Sequence, residues 1–329
     1  VMIRIGLITQ DGDFRTDLEL NQITDFLAQE GDFIWLDISQ EPPIPSKQIL
    51  IEIFGFQPLA TEAALIESHL SKVDDRGSYI NFVLFEFENA NPDSTKLDPR
   101  KLAVFVGKNF LVTYHDQVVN SVNTVWQSLE ENGSQRLKNA LRLLYYISDE
   151  LVNKFIIAMD RYEEMLEEIE EQIFIAPRSE IIEQIVSLKR AAFELSRLLL
   201  HHREVFNKIT HKETGLINEK DKLYFLDVYE HFVRMQDLNE NFRELTTSAL
   251  DIYLSVLNNR MNETFKVLTI ITTLFMPISF LVGFFGMNFF RPILVFETWT
   301  GYGSFILVIL TIIFIPGVML LWFRKKAWI

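Results

Sequence analysis

The sequence predicts an α+β membrane protein with an N-terminal α/β domain, a long helical stalk and two C-terminal transmembrane helices. Two apolar segments, 264–286 and 302–323, have the length of about twenty residues that crosses a hydrocarbon core ~30 Å thick. Short β-branched runs alternate with helical patterns near the start of the chain. Between these parts, from residue 119 to residue 263, the pattern is helical.

Residues 1–118 are predicted to form a cytoplasmic α/β domain. Five β-branched or aromatic runs have strand length, and three segments between them have helical spacing. The predicted strands are Met2–Ile8, Phe33–Ile38, Tyr79–Phe87, Leu102–Val106 and Phe110–Tyr114, and the predicted helices are Leu18–Gln29, Lys47–Phe54 and Thr61–Leu70.

Residues 119–217 are predicted to form an acidic helical hairpin region, followed by a stalk helix over 218–263 that continues into the first apolar segment. The hairpin helices are expected at Ser134–Ile175 and Arg178–Ile209, because few Pro or Gly residues interrupt the pattern. Such a long stalk helix is typical of a bundle or coiled coil.

Two polar clusters in the hairpin region are interpreted as solvated helix faces. The glutamate-rich segment 163–171 could concentrate divalent cations near a pore entrance, but such faces are usually just exposed to water. His201 and His202 invite a metal-site interpretation. Adjacent helical residues point about 100° apart, however, so the solvated interpretation is favoured.

Composition restricts the possible partners. The 329 residues carry a formal net charge of −14 and include no cysteine. An acidic chain opposes nucleic-acid binding and favours cations, and without cysteine there are neither disulfides nor thiolate metal ligands. No signal peptide is expected, because the first residues lack a basic region followed by an apolar run. No phosphate-binding loop or nucleophile elbow is found, so the chain is not expected to be an enzyme.

Basic residues predict the orientation. Arg260 and Lys266 lie at the start of the first apolar segment, the tail 324–329 follows the second, and the connecting loop 287–301 offers only Arg291. By the positive-inside rule both termini lie in the cytoplasm and the loop lies outside.

A polar stripe follows one face of the first apolar segment. Its members are Asn262, Phe265, Thr269, Thr272, Met276, Ser279, Gly283 and Gly286. Such a stripe either packs against neighbouring helices or lines water, and the residues alone leave both possibilities open. Neither apolar segment contains Asp, Glu, His or Arg, which argues against a proton relay and for passive flow. Because two helices cannot enclose a pore, several subunits are expected.

The segments 259–271, 276–277 and 283–289 resemble the signature of the CorA family of magnesium transporters. The tripeptide Gly286-Met287-Asn288 lies directly after the first membrane segment, and the basic, Trp-containing end 324–329 is also similar to that of the family. The resemblance implies a funnel-shaped homopentamer in the cell or inner membrane, surrounded by lipid. It implies Mg²⁺ as the transported and regulatory ion, with no organic cofactor.

The resemblance also implies roles for single residues. Gly286, Met287 and Asn288 would form the selectivity filter, where a ring of Asn288 amide oxygens holds a hydrated cation; this suits Mg²⁺, which sheds water reluctantly. The implied pore-lining and gating positions are Asn262, Phe265, Leu268, Thr272, Met276, Ser279 and Gly283. The implied basic collar consists of Lys266, Arg324, Lys325 and Lys326, which could equally act as topology anchors.

Two further acidic sites follow from the resemblance. Asp227 matches the stalk carboxylate with which the family senses intracellular divalent cations between subunits, and Glu62 matches part of its N-terminal partner. Ala63 stands where relatives commonly have Asp. In the outer loop, Glu297 would supply an acidic ring in a shifted register.

The expected function is influx of Mg²⁺, and also of Co²⁺ or Ni²⁺, driven by the membrane potential and gated by intracellular divalent cations. One alternative is a proton-coupled zinc transporter like the ZntB branch, which usually has Ile at the position of Met287. The other is a membrane anchor without transport activity, whose cytoplasmic domain binds a partner.

Overall fold

The computed structural model describes residues 2–27, 31–40, 42–65, 70–88, 95, 97–135, 137–211, 215–287, 302–326 and 328. The chain divides into two compact units, Val1–Leu250 and Asp251–Ile329. The finer division into domains from the sequence stays a prediction.

A seven-stranded sheet forms the centre of the first unit. Its strands are β1 (Met2–Ile8), β2 (Phe14–Arg15), β3 (Phe33–Ser39), β4 (Lys72–Asp75), β5 (Tyr79–Glu88), β6 (Asp98–Gly107) and β7 (Phe110–His115). The strand order is β2-β1-β3-β7-β6-β5-β4. Within this sheet β3 and β7 pair in parallel, whereas the other neighbours are antiparallel. The five predicted strands are confirmed; β2 and β4 are short and partly polar, and their sequences gave no strand signal.

One face of the sheet packs against three short helices, α1 (Ile23–Leu27), α2 (Pro43–Glu52) and α3 (Pro58–Leu65). Phe56, between α2 and α3, stacks on Phe105 of β6 with ring centroids 4.5 Å apart. The predicted helix at Leu18–Gln29 is shorter than expected, because Leu20–Gln22 forms a 3₁₀ turn before α1.

Four longer helices follow the sheet: α4 (Asn120–Asn132), α5 (Ala140–Ile175), α6 (Ser179–His211) and α7 (Glu219–Gly286). The predicted start of the hairpin at Ser134 is wrong. Helix α5 begins at Ala140 because the side chain of Asn139 accepts a hydrogen bond from the backbone N–H of Arg142 at 2.8 Å, which caps the helix there.

The glutamate-rich part of α5 has the expected solvated face. Leu166 and Ile169 are buried, whereas Glu163, Glu164 and Glu167 are exposed. This confirms the interpretation of the segment as an amphipathic helix.

Asp37 is a buried carboxylate at the centre of the sheet. It accepts hydrogen bonds from Arg4 Nε at 3.0 Å and Thr113 Oγ1 at 2.6 Å, and its Oδ1 lies 3.1 Å from His115 Nε2. Burial works to raise the pKa of Asp37, but the bond and charge of His115 and the charge of Arg4 outweigh burial and lower it. The pairing of these groups therefore keeps a charge stable inside the domain.

His202 contradicts its interpretation as part of a solvated face, because its side chain is fully buried. Its Nε2 accepts the backbone N–H of Phe85 at 3.0 Å, so its Nδ1 donates to the carbonyl of Leu198 at 2.7 Å. The pairing of β4 with β5 reaches only as far as Lys72 and Val83, and His202 provides the acceptor for Phe85 just beyond this point. Since both ring nitrogens are used, this imidazole is a structural tether rather than a metal ligand.

The buried, neutral ring of His202 predicts that the protein loses stability against unfolding in acid. Burial lowers the pKa of His202 to about 4, below its ordinary value of 6.5. The stability that depends on the neutral ring is therefore fully present above pH 6.5 and is lost as the pH falls toward 4. Between pH 7.5 and 5 we expect a loss of about 2 kcal/mol in the free energy of unfolding, measured by chemical unfolding of the full chain in detergent.

His202→Gln retains an acceptor for Phe85 but does not titrate, so it is expected to lose this pH dependence. His211→Gln, at an exposed position of the same helix, is the matched control and should behave like the wild type. Equal pH dependence in wild type and His202→Gln would contradict the assignment.

Candidate functional site

Among the residues that the structure describes, two helices are long and apolar enough to cross a membrane, namely α7 and α8 (Tyr302–Lys325). Helix α7 continues without interruption to Gly286, and the Met287 N–H donates to the Phe284 carbonyl at 3.3 Å. The apolar segments predicted from the sequence are thus helical. Asn288 and Glu297 lie outside the described residues.

The polar stripe occupies the uncovered side of α7. All eight of its members are exposed within the chain. Another face of α7 is covered by the rest of the chain: Ile270 is buried, and Thr273, Leu274, Pro277, Ile278 and Leu281 are partly covered. On α8 Phe323 is buried, and the partly covered residues are Val308, Thr311, Ile312, Ile315, Pro316 and Met319. Because each helix has one covered face, we infer that α7 and α8 pack against each other through these faces. The stripe, on the other side of α7, can then contact water or other subunits.

Threonines of the stripe satisfy their own donors. Thr269 Oγ1 donates to the Phe265 carbonyl at 2.7 Å, and Thr272 Oγ1 donates to the Leu268 carbonyl at 2.8 Å. These bonds let a hydroxyl lie in an apolar helix without a partner from another helix. The oxygen lone pairs remain available to the water shell of an ion.

Large apolar side chains alternate with these polar positions. Phe265 and Leu268 are each 56% exposed and Met276 is 67% exposed. Ser279, Gly283 and Asn262 are exposed as well. This face of α7 therefore alternates polar and large apolar side chains along the helix.

The basic residues of the predicted collar lie near one end of each membrane helix. Arg324 and Lys325 are in the last turn of α8, and Lys326 follows directly. The Trp328 ring stacks on Phe323 with centroids 5.7 Å apart, so Trp328 lies against the end of the helix. Lys266 lies on α7 and is half-buried.

A possible metal site lies in the first unit, between α5 and α7. Asp149, Asp227 and His231 have ligand atoms that all lie within 4.8 Å of one another. His231 is one helical turn after Asp227, with its Nε2 3.7 Å from Asp227 Oδ1. The hydroxyl of Tyr145 donates to Asp227 Oδ2 at 3.1 Å and orients this carboxylate.

The electrostatics of this group favour a cation. Burial raises the pKa of Asp149; the charge of His231 opposes this shift and the neighbouring Asp227 adds to it. Burial and the bond to Asp227 raise the pKa of Tyr145 to about 12, so its hydroxyl remains a donor. A divalent ion would relieve the repulsion between the two carboxylates. Two oxygens and one imidazole nitrogen suit Mg²⁺ as well as softer ions such as Co²⁺.

The sequence identified one of these three residues. Asp227 was predicted, and His231 could have been found because residues four apart share a helix face. Asp149 comes from a different helix, and only tertiary packing brings it to Asp227. Glu62 is exposed on α3 and is not part of this group within one chain. Its predicted pairing with Asp227 of another subunit stays a prediction.

Comparisons with known proteins agree with this architecture. Residues 30–325 match the family described as CorA-like Mg²⁺ transporter protein. The cobalt/magnesium transport protein CorA of Thermotoga maritima is 28% identical over 98% of this chain and 96% of its own length. The putative metal ion transporter YfjQ of Bacillus subtilis is 26% identical over 99% of this chain and 98% of its own.

A solved structure has the same fold over the full length. The complete CorA magnesium transporter of Methanocaldococcus jannaschii superposes with a TM-score of 0.82 at 21% identity, covering 100% of this chain and 99% of its own. The α/β domain, the long helix and the two apolar C-terminal helices are therefore shared. The chain belongs to the family of CorA-like Mg²⁺ transporter proteins, whose members transport divalent cations, mainly Mg²⁺, across membranes.

Proposed function

We propose that this chain is one subunit of a homopentameric channel that admits Mg²⁺, and also Co²⁺ or Ni²⁺, to the cytoplasm. The observation that carries the proposal is the uncovered stripe of α7, which ends at the Gly286-Met287-Asn288 tripeptide. A stripe on one helix per subunit can line a pore only if several copies surround an axis, and closed cyclic symmetry provides this arrangement.

The membrane potential would drive the ion. Moving one charge across 100 mV is worth ~2.3 kcal/mol, so a divalent ion gains about 4.6 kcal/mol. Within the segments 264–286 and 302–323 the sequence has no Asp, Glu, His or Arg that could relay protons. Passive flow is consequently favoured over proton-coupled zinc transport.

The filter and the gate would have different chemistry. At the outer end, a ring of Asn288 amides would hold a hydrated ion without a formal charge, so that the ion can also leave. Glu297 would add an acidic ring outside. Farther in, Phe265, Leu268 and Met276 would close the pore by dewetting. With Lys266 and the tail 324–326 as a cytoplasmic collar, both termini would lie in the cytoplasm of a cell or inner membrane.

Regulation would act through α7, because the same helix carries Asp227 and His231 in the first unit and the stripe in the second. Cytoplasmic divalent ions bound at Asp149, Asp227 and His231 would hold α5 against α7 and stabilise the closed state. Glu62 of an adjacent subunit would complete the coordination. Depletion of the ion would restore carboxylate repulsion and release the helix.

The filter is tested by uptake into proteoliposomes with an inside-negative potential. We expect wild-type vesicles to accumulate Mg²⁺ and Asn288→Ala vesicles to lose at least ten-fold in rate, because the ring that holds the hydrated ion is gone. Asn241→Ala, at an exposed position of α7 before the membrane segment, is the control and should retain uptake.

The alternatives predict other outcomes in the same vesicles. Zinc entry that needs an imposed pH gradient would support the proton-coupled transporter instead. The absence of flux for either ion in a folded oligomer would support the membrane anchor.

The metal group is tested by the effect of ions on stability. Mg²⁺ and Co²⁺ should each protect the full-length protein against heat, and Asp227→Asn should weaken both effects by at least five-fold in the ion concentration required. His231→Gln should weaken the effect of Co²⁺ more than that of Mg²⁺, since imidazole is the softer ligand. Asp237→Asn, exposed on the same helix, is the control. Unchanged protection in Asp227→Asn would exclude this group as the site.

Gating is tested with the same variant in the flux assay. With millimolar Mg²⁺ on the cytoplasmic side, wild-type uptake should be suppressed, while Asp227→Asn should remain conductive because it cannot retain the closing ion. Equal suppression of both proteins would show that the ion acts elsewhere.

A further inference from the structure

A polar cavity of about 500 Å³ lies in the first unit at the carboxyl ends of β3 and β7. Ser39 and His115, the last residues of these parallel strands, line it together with residues of α4, which begins just after β7. In open α/β sheets, ligands bind in the crevice beyond the carboxyl ends of parallel strands. The residues proposed for transport and regulation lie elsewhere in the chain.

The charge of the cavity is opposite to that of the chain. Three lining residues, Arg4, His115 and Lys154, have basic side chains, and no Asp or Glu is among the lining residues that the structure describes. The whole chain, in contrast, has 45 acidic and 31 basic residues. The remaining polar lining residues are Ser39, Gln40, Asn120, Asn123, Thr124 and Gln127. Such a lining favours an anion with several hydrogen-bond acceptors.

Arg4 is held rigidly. Besides its bonds to Asp37, its Nη2 donates to Asn123 Oδ1 at 2.8 Å, and its guanidinium lies 4.6 Å from the centre of the Trp126 ring. The buried Asp37 compensates its charge, and Nη1 makes no hydrogen bond with the residues that the structure describes. A preformed guanidinium loses little entropy when a ligand binds.

Lys154 supplies the charge that is not compensated. It projects from α5, is half-buried, and makes no ion pair with the residues that the structure describes. The N-terminus of α4 cannot replace it, because the carboxylate of Glu86 already accepts from the backbone N–H groups of Asn120 and Ser121 at 2.8 Å each. The side chains, rather than the helix end, therefore have to bind the anion.

We propose that this cavity binds a small organic phosphate, with the phosphate between Lys154 and Arg4 and the organic part against the amides of α4. Phosphate matches both cations, since arginine binds it through a fork of donors and lysine as a point charge. The volume lies within the range of about 300–1,000 Å³ that holds small organic ligands and exceeds what a bare phosphate needs. The site is independent of the proposed pore and of the metal group.

The test is calorimetric titration of the full-length protein in detergent, without Mg²⁺, using adenosine 5′-monophosphate, ribose 5-phosphate and inorganic phosphate. Saturable binding of at least one organic phosphate is expected, at least ten-fold tighter than that of inorganic phosphate. Lys154→Gln should weaken this binding ten-fold or more. Lys189→Gln, which removes the same charge from an exposed position of α6, should bind like the wild type.

Three results would overturn the proposal. The first is the absence of saturable binding for every probe. The second is binding that Lys154→Gln leaves unchanged, and the third is equal affinity for inorganic and organic phosphate. A cross-check by thermal unfolding of Lys154→Gln without ligand separates lost binding from lost folding, and the half-buried lysine is expected to leave the midpoint unchanged.

Discussion

The constraint on which this structure depends is that hydrocarbon offers no hydrogen-bond partner to a peptide group. Helix α7 must therefore stay helical through its apolar segment, and it does so from Glu219 to Gly286, with Pro277 removing one backbone donor within it. The same helix contributes the buried rings of Phe225, Phe232 and Phe242 to the first unit. One continuous element thus belongs to the core of the first unit at one end and to an apolar membrane segment at the other. The proposed regulation relies on this continuity, because the metal group and the stripe lie on the same helix.

Hydrogen bonding also explains two buried polar groups of the first unit, Asp37 and His202. Asp37 and His202 each have partners for their polar atoms, and neither participates in the proposed transport. The cost of leaving such groups unpaired exceeds the gain from any one bond, so their partners are fixed together with them. The position of Arg4 at the cavity wall is one consequence, because the bonds by which Arg4 neutralises Asp37 also hold its guanidinium there.

The sequence predicted those features whose signal is local. The strand Met2–Ile8 has the predicted bounds, and α7 ends at the predicted Gly286. Both could be predicted because an apolar run and a tripeptide are recognised in the sequence without knowledge of tertiary contacts. Features made by tertiary contact were missed. His201 and His202 were both interpreted as part of a solvated face. His202 is nevertheless buried, because β5 extends past β4 and the backbone N–H of Phe85 needs an acceptor there. No sequence pattern around Asp149 indicates a metal ligand, because it belongs to a possible site only through its proximity to Asp227 on another helix.

The difference in charge between the two proposed ion sites fits their different roles. Two carboxylates whose ligand atoms lie within 4.8 Å repel each other, water at the exposed Asp227 screens part of this repulsion, and a divalent ion reverses it. Such a site retains its ion and can report a concentration. The stripe of α7 offers hydroxyl and amide groups without formal charge, so an ion that keeps its water shell is held weakly at each step. A pore needs rapid release and a sensor needs occupancy, so neutral oxygens suit the proposed pore and paired carboxylates suit the proposed sensor.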